Sequence, residues 1–313
     1  MARGARSNDA SGARHRAPPG AVARHYDVLD ELYRRVWGEH VHHGLWTTPR
    51  DPPSLAARAL AERVADAARV RLGDRVVDAG CGYGATARLL ARERGASVVG
   101  LTLSAAQARA APPAEGVTIL VRDWLANGLP DEVFDAAVAI ESLSHMADKP
   151  RAFGELSRVV RPGGRVVVVD WLARERPGGL ERRLLLDPIC REGRLPELLP
   201  ASAYVELLRG AGLAVAGFED LSSRAVRTWG VVARRLPAVL VRHPRLAARA
   251  WPERAFLPSL ARIPLALRTG AMRLCLLVAE KRAQPPPRAA RLAPSGGRSA
   301  RQSRSSDGGS GSP

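Results

Sequence analysis

The sequence predicts an α/β fold with a doubly wound, mostly parallel sheet that is covered by helices on both faces. Short apolar runs rich in β-branched residues alternate with helical patterns between residues 75 and 171, which is typical of buried parallel strands. Glycine-containing turns separate several of these runs. The chain has 313 residues, of which 46% are hydrophobic, so it is long enough to bury one large core.

The predicted elements follow one another in a regular order. Helical spacing of apolar residues predicts helices at 25–37 and 54–69, ahead of the first strand. Strands are then predicted at 75–80, 96–103, 117–123, 134–142, 165–171 and 272–282, with one more after the helix that begins near residue 202. The connecting helices are predicted at 85–95, at 104–111 and from residue 148 to the Pro-Gly-Gly turn at 162–164.

Two segments interrupt this order. Residues 173–200 are rich in Arg, Leu and Pro, and residues 225–265 contain apolar clusters separated by five prolines. Because proline disfavours a helix interior, the second segment is predicted to form short broken helices. We interpret both segments as insertions that form a lid over a ligand crevice.

The formal net charge of +17 is concentrated at the two ends of the chain. Residues 1–24 carry five Arg against Asp9, and residues 281–313 carry seven Lys or Arg against Asp307. Both ends contain few large apolar residues, so 1–24 and 283–313 are predicted to be disordered basic tails. Solvated tails and tails that bind nucleic acid or lipid remain open as alternatives.

Composition also bears on where the protein works. No run of 18 uncharged apolar residues and no apolar signal segment at the N-terminus is present, so neither a membrane span nor secretion is expected. Three widely spaced cysteines predict neither a disulfide framework nor a zinc ribbon. We therefore expect a cytoplasmic protein, with a peripheral membrane contact through the basic, amphipathic stretch 231–251 as an open alternative.

A glycine-rich turn between the first strand and the next helix indicates a ligand loop. In "VVDAGCGYGA" (76–85), three glycines permit positive φ and close approach of a ligand. This loop also fits the dinucleotide pattern. However, Asp78 at the end of the strand suits a cationic ligand better than a pyrophosphate, and the second strand lacks the terminal acid that a nicotinamide site needs.

This D-x-G-C-G-x-G pattern resembles motif I of the class I S-adenosylmethionine-dependent methyltransferases. The resemblance covers about residues 25–282 and implies a Rossmann-like, seven-stranded domain with S-adenosylmethionine as cofactor. "GLTLSAAQ" (100–107) and "VRDW" (121–124) resemble further cofactor motifs of that class. The implied cofactor residues are Tyr26, Asp78, Gly80, Cys81, Gly82, Gly84, Thr102, Leu103, Ser104, Gln107, Asp123 and Trp124. The alternatives are a helix cap for Ser104, a loop cap for Asp123 and a core position for Tyr26.

Three further stretches resemble the gamma-tocopherol methyltransferase-like group. They are "WGEHVHHGLW" (37–46), "ESLSHM" (141–146) with the Pro-Gly-Gly strand after it, and "PICREGRLPELLP" (188–200). The resemblance implies methyl transfer to a small lipophilic acceptor, either tocopherol-like C-methylation of a phenolic or prenylated ring or methylation of a natural-product hydroxyl or amine. His145 is the proposed general base, with Glu141 to orient it or to contact the cofactor.

The histidine-rich stretch offers a second candidate base. His43 is predicted to share or replace the role of His145, while His42, Trp46 and Trp171 are predicted to contact the acceptor. No metal is expected, because the spacing of His40, His42 and His43 scatters their rings.

Two other functions stay open. A cyclopropane-synthase-like reaction on lipid chains uses the same fold and cofactor. A non-catalytic nucleic-acid-binding protein on this fold is the alternative from a different class. Nucleic acid is not expected as a partner, since the Asn/Asp-Pro-Pro-aromatic motif of amino-methylases is absent. The sequence predicts neither the oligomeric state nor the identity of the acceptor.

Overall fold

The computed structural model describes residues 20–283, which form a seven-stranded sheet with helices on both faces. The strand order is β3-β2-β1-β4-β5-β7-β6. Strands β1 to β5 are parallel, whereas β7 runs antiparallel between β5 and β6. The predicted doubly wound, mostly parallel sheet is confirmed. The predicted tails fall mostly outside the described residues.

The strands and helices have the following bounds. The strands are β1 Arg75–Ala79, β2 Ser97–Thr102, β3 Val117–Val121, β4 Phe134–Ile140, β5 Val160–Ala173, β6 Leu213–Asp220 and β7 Met272–Lys281. The helices are α1 Ala21–Val36, α2 Pro53–Ala68, α3 Ala85–Arg94, α4 Ala105–Ala110, α5 Lys149–Val159, α6 Gly179–Glu181, α7 Asp187–Glu192, α8 Ala201–Gly210, α9 Ser222–Ala225, α10 Arg227–Arg242, α11 Pro244–Ala250 and α12 Ser259–Thr269. A π-helical turn spans Arg182–Leu186, and 3₁₀ turns span Trp124–Ala126, Leu143–His145 and Trp251–Phe256.

Two cores lie on opposite faces of the sheet. Alternate residues of a strand point to opposite faces, so Val76 packs in the core beneath α2 and α3, while Val77 packs in the core beneath α5 and α8. Both side chains are fully buried. Burial on both faces explains why the strands appear in the sequence as continuous apolar runs rather than alternating ones.

The boundaries of two elements, helix α1 and strand β5, differ from the sequence-based expectation. Helix α1 begins at Ala21, inside the predicted basic tail. The Pro-Gly-Gly turn lies inside β5 rather than before it: Val160 already pairs with Phe134, and pairing resumes at Arg165 with Ala136. The residues between loop out, with Gly163 at φ +81°. The Pro-Gly-Gly turn is therefore at its predicted position, but β5 includes residues on both sides of it.

The second insertion is less broken than expected. Pro237 lies inside the 16-residue helix α10, and Pro264 lies inside α12. A proline removes one hydrogen bond from a helix, and burial of Trp229, Val232 and Leu236 on the inner face of α10 offsets that loss. Among the helices of residues 20–283, none combines the length and apolar character needed to cross a bilayer.

Candidate active site

The ligand crevice lies between β1 and β4, where the strand order reverses and the loops after both strands meet. The first loop needs its glycines. A Cβ at Gly80 (φ +90°) would lie 2.3 Å from the Cβ of Ser142, in the second loop. Gly84 (φ +68°) is the N-cap residue of α3 and packs on Ile119. Gly82 (φ +55°) has no neighbour closer than 4.0 Å and faces open space, which leaves room for a ligand against the backbone.

Asp78 is the penultimate residue of β1, two positions before Gly80. The residue is 2% exposed, and its carboxylate accepts no hydrogen bond from any residue between 20 and 283. Burial raises the pKa of Asp78 to about 7. Cys81 is next to it, and burial followed by the Asp78 charge raises the pKa of the thiol. A buried carboxylate without a partner fits a cationic group such as the ammonium or sulfonium of S-adenosylmethionine.

The end of β2 and the start of α4 form the second wall of the crevice. Thr102 Oγ1 donates to Gln107 Oε1 (2.8 Å), and the side chain of Leu103 is exposed. Ser104 caps α4 by accepting from Gln107 N (3.1 Å), and its hydroxyl donates to Asp27 Oδ1 (2.5 Å). The helix-cap alternative for Ser104 is therefore observed. The Asp27 contact fastens α1 to this wall.

Two predicted cofactor residues after β3 have structural partners. Asp123 accepts a hydrogen bond from Leu125 N (2.9 Å), which is the loop-capping alternative, and remains exposed. Trp124 is buried in the core under α5, and its indole N–H donates to Ala152 O (3.0 Å). The contact of Asp123 with a cofactor stays a prediction. The Trp124 ring fills the core, and its contact with an adenine stays a prediction.

Beside the crevice lies a cavity that is open to solvent, with about 630 Å³ of empty space including its mouth. Its walls come from α1, the histidine-rich stretch, the loop after β4 and both insertions. Six aromatic side chains line it: Tyr26, Tyr33, Trp37, Trp171, Trp229 and Phe256. Four histidines and one acid supply most of its polar lining: His25, His42, His43, His145 and Glu141. Such a cavity suits an apolar ring that carries one or two polar groups.

Glu141 is the centre of one hydrogen-bond network in this cavity. It follows β4 with φ +52°, an unfavourable conformation for a residue with a side chain. Its carboxylate accepts from His43 N, His43 Nδ1–H and Trp171 Nε1–H, each at 2.8 Å. Burial opposes ionisation, but the two histidines and these hydrogen bonds leave the Glu141 pKa below its usual value. The structure therefore pairs Glu141 with His43, not with His145 as predicted.

The tautomers of His43 and His42 follow from their partners. The Trp229 indole N–H can only donate, and it donates to His43 Nε2 at 2.6 Å, so His43 carries its proton on Nδ1. His42 Nδ1–H donates to the His43 carbonyl (2.7 Å), and His42 Nε2 accepts from His40 Nδ1–H (3.0 Å). Both ring nitrogens of His42 and of His43 are thus taken up by protein groups.

His145 is less constrained. Its Nε2 lies 3.3 Å from the Tyr26 hydroxyl, and its Nδ1 has no partner in the part of the chain that the structure describes. Burial, together with His25 and Lys149, lowers the pKa of His145 to about 4, so the ring is neutral near pH 7. Burial raises the pKa of Tyr26, which keeps its hydroxyl protonated. Among the three candidate histidines, His145 has the most available ring nitrogen.

A second network was not anticipated from the sequence. His25 Nδ1–H donates to Glu253 Oε2 (2.8 Å), and its Nε2 lies 2.9 Å from the Tyr33 hydroxyl. Glu253 also pairs with Arg194. The His25 hydrogen bond and the Arg194 pair hold the pKa of Glu253 down at about 2 against the effect of burial. This carboxylate joins α1 to both insertions, and no local pattern links residues 228 positions apart.

Trp46 does not reach the main cavity. It lines a separate space of about 300 Å³ with Val231 and Pro53, and its indole N–H donates to Thr228 Oγ1 (3.1 Å). His42 and Trp171, the other two residues predicted to contact the acceptor, line the main cavity, as does the candidate base His43. Their contact with an acceptor stays a prediction. Within residues 20–283, no cluster of three or more His, Cys, Asp or Glu side chains is arranged to hold a metal ion.

Comparisons with known proteins agree with this geometry. A family model described as a methyltransferase domain matches residues 77–168. The 27-O-demethylrifamycin SV methyltransferase of Amycolatopsis mediterranei (strain S699) is 32% identical over 225 residues, which cover 69% of this chain and 82% of that protein. The chloroplastic tocopherol O-methyltransferase of Arabidopsis thaliana is 32% identical over 241 residues, covering 68% of each chain.

Solved structures show the same fold. The crystal structure of the [4+2]-cyclase SpnF superposes with a TM-score of 0.73 at 28% identity, covering 84% of this chain and 96% of that one. Other structures of this fold hold S-adenosylmethionine or its demethylated product, S-adenosylhomocysteine. The chain belongs to the class I S-adenosylmethionine-dependent methyltransferases and is similar to their tocopherol methyltransferase-like group, and S-adenosylmethionine is its cofactor.

Proposed function

We propose that the chain methylates a hydroxyl-bearing, lipophilic acceptor with a phenolic or comparable ring. The observation that carries this proposal is the aromatic cavity at the end of β4, where His145 faces the interior with its imidazole neutral and lightly bonded. The six aromatic side chains that line the cavity suit a ring of the acceptor, and a neutral imidazole suits removal of a hydroxyl proton. The names of the two relatives, both of which specify O-methylation, support the same reaction class.

The residues around the glycine loop would hold the cofactor. Asp78 offers a negative charge to the ammonium group, and the open backbone at Gly82 allows close approach. Thr102, Leu103 and Ser104 would border the adenosine. When bound, S-adenosylmethionine supplies a methyl group on a positively charged sulfur. The enzyme contributes alignment of the acceptor and exclusion of water from the cavity.

His145 would act as the general base that accepts the hydroxyl proton of the acceptor. The pKa of about 4 keeps the ring neutral above pH 5, so the base is present throughout the neutral range. With saturating cofactor, the acidic limb of the kcat/KM profile for the acceptor is then expected near pH 4 rather than near the ordinary histidine value, because in the cofactor complex activity is lost as the pH falls through the pKa of His145.

His43 and Glu141 would act as positioning residues. Because Trp229 occupies His43 Nε2 and Glu141 occupies Nδ1, His43 cannot take a proton without losing a hydrogen bond of 2.8 Å or less. The Glu141 contact with Trp171 also fixes one aromatic wall. The predicted base role of His43 is therefore replaced in our proposal by a role in holding the wall of the cavity.

Calorimetry with S-adenosylmethionine and S-adenosylhomocysteine tests the cofactor site, and absence of binding of either would refute it. A screen of phenolic, quinol and hydroxylated polyketide acceptors, followed by NMR of the product, tests the acceptor class. His145→Ala is expected to lower kcat by about 10²–10⁴-fold at unchanged cofactor affinity, whereas His42→Ala, the matched change, should lower it far less.

The product also separates the alternatives. A new carbon in a ring or on oxygen supports the proposal, whereas a cyclopropane from an alkene supports the lipid reaction. A substrate that cyclises without gaining a carbon indicates cyclase chemistry. This outcome is included because the chain is similar to the [4+2]-cyclase SpnF. DNA or RNA binding that falls steeply with salt, with no methyl transfer to any acceptor, supports a non-catalytic role.

A further inference from the structure

The outer surface of the second insertion carries charge of one sign. Residues 227–262 contain eight Arg and a single acid, Glu253. Glu253 is turned inward, where it pairs with His25 and Arg194. Six of the eight arginines are exposed: Arg234, Arg235, Arg242, Arg245, Arg249 and Arg254. The surface formed by the exposed residues of 230–258 is called the basic lid surface below.

The neighbouring acids do not neutralise the basic lid surface. On α1, which packs against α10 and α11, Asp30 and Glu31 are paired with Arg34 and Arg35 one turn away. Arg234, Arg242 and Arg245 form no side-chain hydrogen bond or salt bridge with any residue from 20 to 283. Their charges are therefore free to meet an anionic surface.

The same surface exposes large apolar side chains. Val241 is 82% exposed, Trp251 is 62% exposed and Leu257 is 43% exposed. On α10 the outward positions 230, 234, 238 and 241 follow helical spacing, so Val241 lies on the same side as Arg234. A tryptophan among arginines beside an exposed valine and leucine has the composition of a helix surface that lies in the interface of a membrane.

The inner side of this insertion lines the acceptor cavity. Thr228, Trp229 and Phe256 belong to the same helices and turns, and all three border the cavity. We propose that the basic lid surface docks the protein on membranes that contain anionic lipids, with Val241, Trp251 and Leu257 at the level of the headgroups. A lipophilic molecule in that membrane would then lie next to the part of the protein that covers the cavity.

A lipid surface explains these features better than a nucleic acid does. Arginines alone suffice to contact phosphates, whereas exposed Val241 and Leu257 gain nothing in a phosphate groove and are stabilised by burial among lipid headgroups and acyl chains. Basic side chains interleaved with exposed apolar ones are typical of helices that lie at the surface of an anionic membrane.

The proposal is tested by co-sedimentation of the full-length protein with phosphatidylcholine vesicles that contain 30% phosphatidylserine or none. The test variant is Arg234→Gln/Arg242→Gln/Arg245→Gln. The matched control is Arg92→Gln/Arg151→Gln/Arg209→Gln, which removes the same charge from exposed arginines of α3, α5 and α8 that have no side-chain partners in the described structure. Both variants leave the basic tails unchanged.

We expect the test variant to weaken partitioning onto phosphatidylserine vesicles by about a hundredfold, and the control to weaken it by less than about threefold. Trp251→Ala should reduce the binding that remains at 0.5 M salt, where charge is screened to roughly 4 Å. The same melting temperature for all variants excludes unfolding as the cause.

Equal losses in both triple variants would overturn the proposal, as would equal binding to vesicles without phosphatidylserine. Loss of RNA or DNA binding without any vesicle binding would overturn it in favour of a nucleic acid. Cofactor binding is measured separately, so failure here leaves the proposed methyltransferase reaction intact.

Discussion

Binding of the cofactor should release a proton from Asp78, and the amount follows from the structure. The pKa of this carboxyl is raised to about 7 by burial, with no partner among the described residues. At pH 6, about 90% of the Asp78 side chains are then protonated, and at pH 8 about 10% are. If a bound ammonium or sulfonium keeps Asp78 ionised, each binding event releases about 0.9 proton at pH 6 and about 0.1 at pH 8.

The apparent affinity should follow the same dependence. It should tighten nearly tenfold between pH 5 and pH 6 and level off above pH 7, because protonated Asp78 must lose its proton before it can pair with the cation. Calorimetry of S-adenosylhomocysteine in two buffers of different ionisation enthalpy measures the released protons. Asp78→Asn is the matched control, since it keeps the size of the side chain and leaves the titration of the ligand itself in the data.

The stability of the free protein provides a second measure of the same effect. Because the folded pKa of Asp78 lies above its unfolded value of 3.8, the destabilisation is absent below pH 4 and complete above about pH 7. The pKa shift of Asp78 corresponds to a loss of at most about 4 kcal/mol in the free energy of unfolding. Asp78→Asn should therefore stabilise the ligand-free protein at pH 8 while weakening cofactor binding. If the wild-type protein releases no more protons than Asp78→Asn does, the assignment of Asp78 as the partner of the cation is wrong.

Four further substitutions test the rest of the site and the core beside it. Glu141→Gln should lower kcat by about 10–100-fold at unchanged cofactor affinity, since it weakens the hydrogen bonds that hold His43 and Trp171 in the cavity wall. An unchanged kcat would remove Glu141 from the mechanism. Gly80→Ala should lower the free energy of unfolding by several kcal/mol, because its Cβ would overlap the loop after β4. Gly82→Ala should lower the free energy of unfolding by only about 1–2 kcal/mol and should chiefly weaken cofactor binding. Thermal unfolding and calorimetry measure the two effects. Tyr204→Phe should lower the free energy of unfolding by about 1–3 kcal/mol in urea titrations, because Asp170 is fully buried and accepts a 2.8 Å hydrogen bond from Tyr204.

The sheet and the cofactor loop could be predicted because their physical causes are local. Strands buried on both faces must be apolar along their whole length, as Val76 and Val77 show. Positive φ at Gly80 and Gly82 leaves a glycine pattern that can be recognised in the sequence. A helix containing Pro237 could not be predicted in the same way, because it is stabilised by tertiary packing of its inner face.

The cavity could be predicted only in part. His43, Glu141 and His145, which the sequence indicates as candidate catalytic residues, all line the cavity, since each follows or faces the end of β4. Which histidine keeps a free nitrogen depends on Trp229, which lies 186 residues from His43, and nothing in the sequence around either residue indicates that contact. The partnership of His25 with Glu253 is equally invisible, because it joins the two ends of the domain.

Helix α1 contacts both ligand regions, and this has a consequence for their thermodynamics. Asp27 fastens the helix to the cofactor wall through Ser104, and His25, two residues earlier, fastens it to the lid through Glu253. A ligand that orders α1 from one side lowers the entropic cost of ordering it from the other. We therefore expect positive coupling that is equal in both directions, with acceptor and cofactor tightening each other by the same factor. Asp27→Asn should reduce that factor in titrations of either ligand.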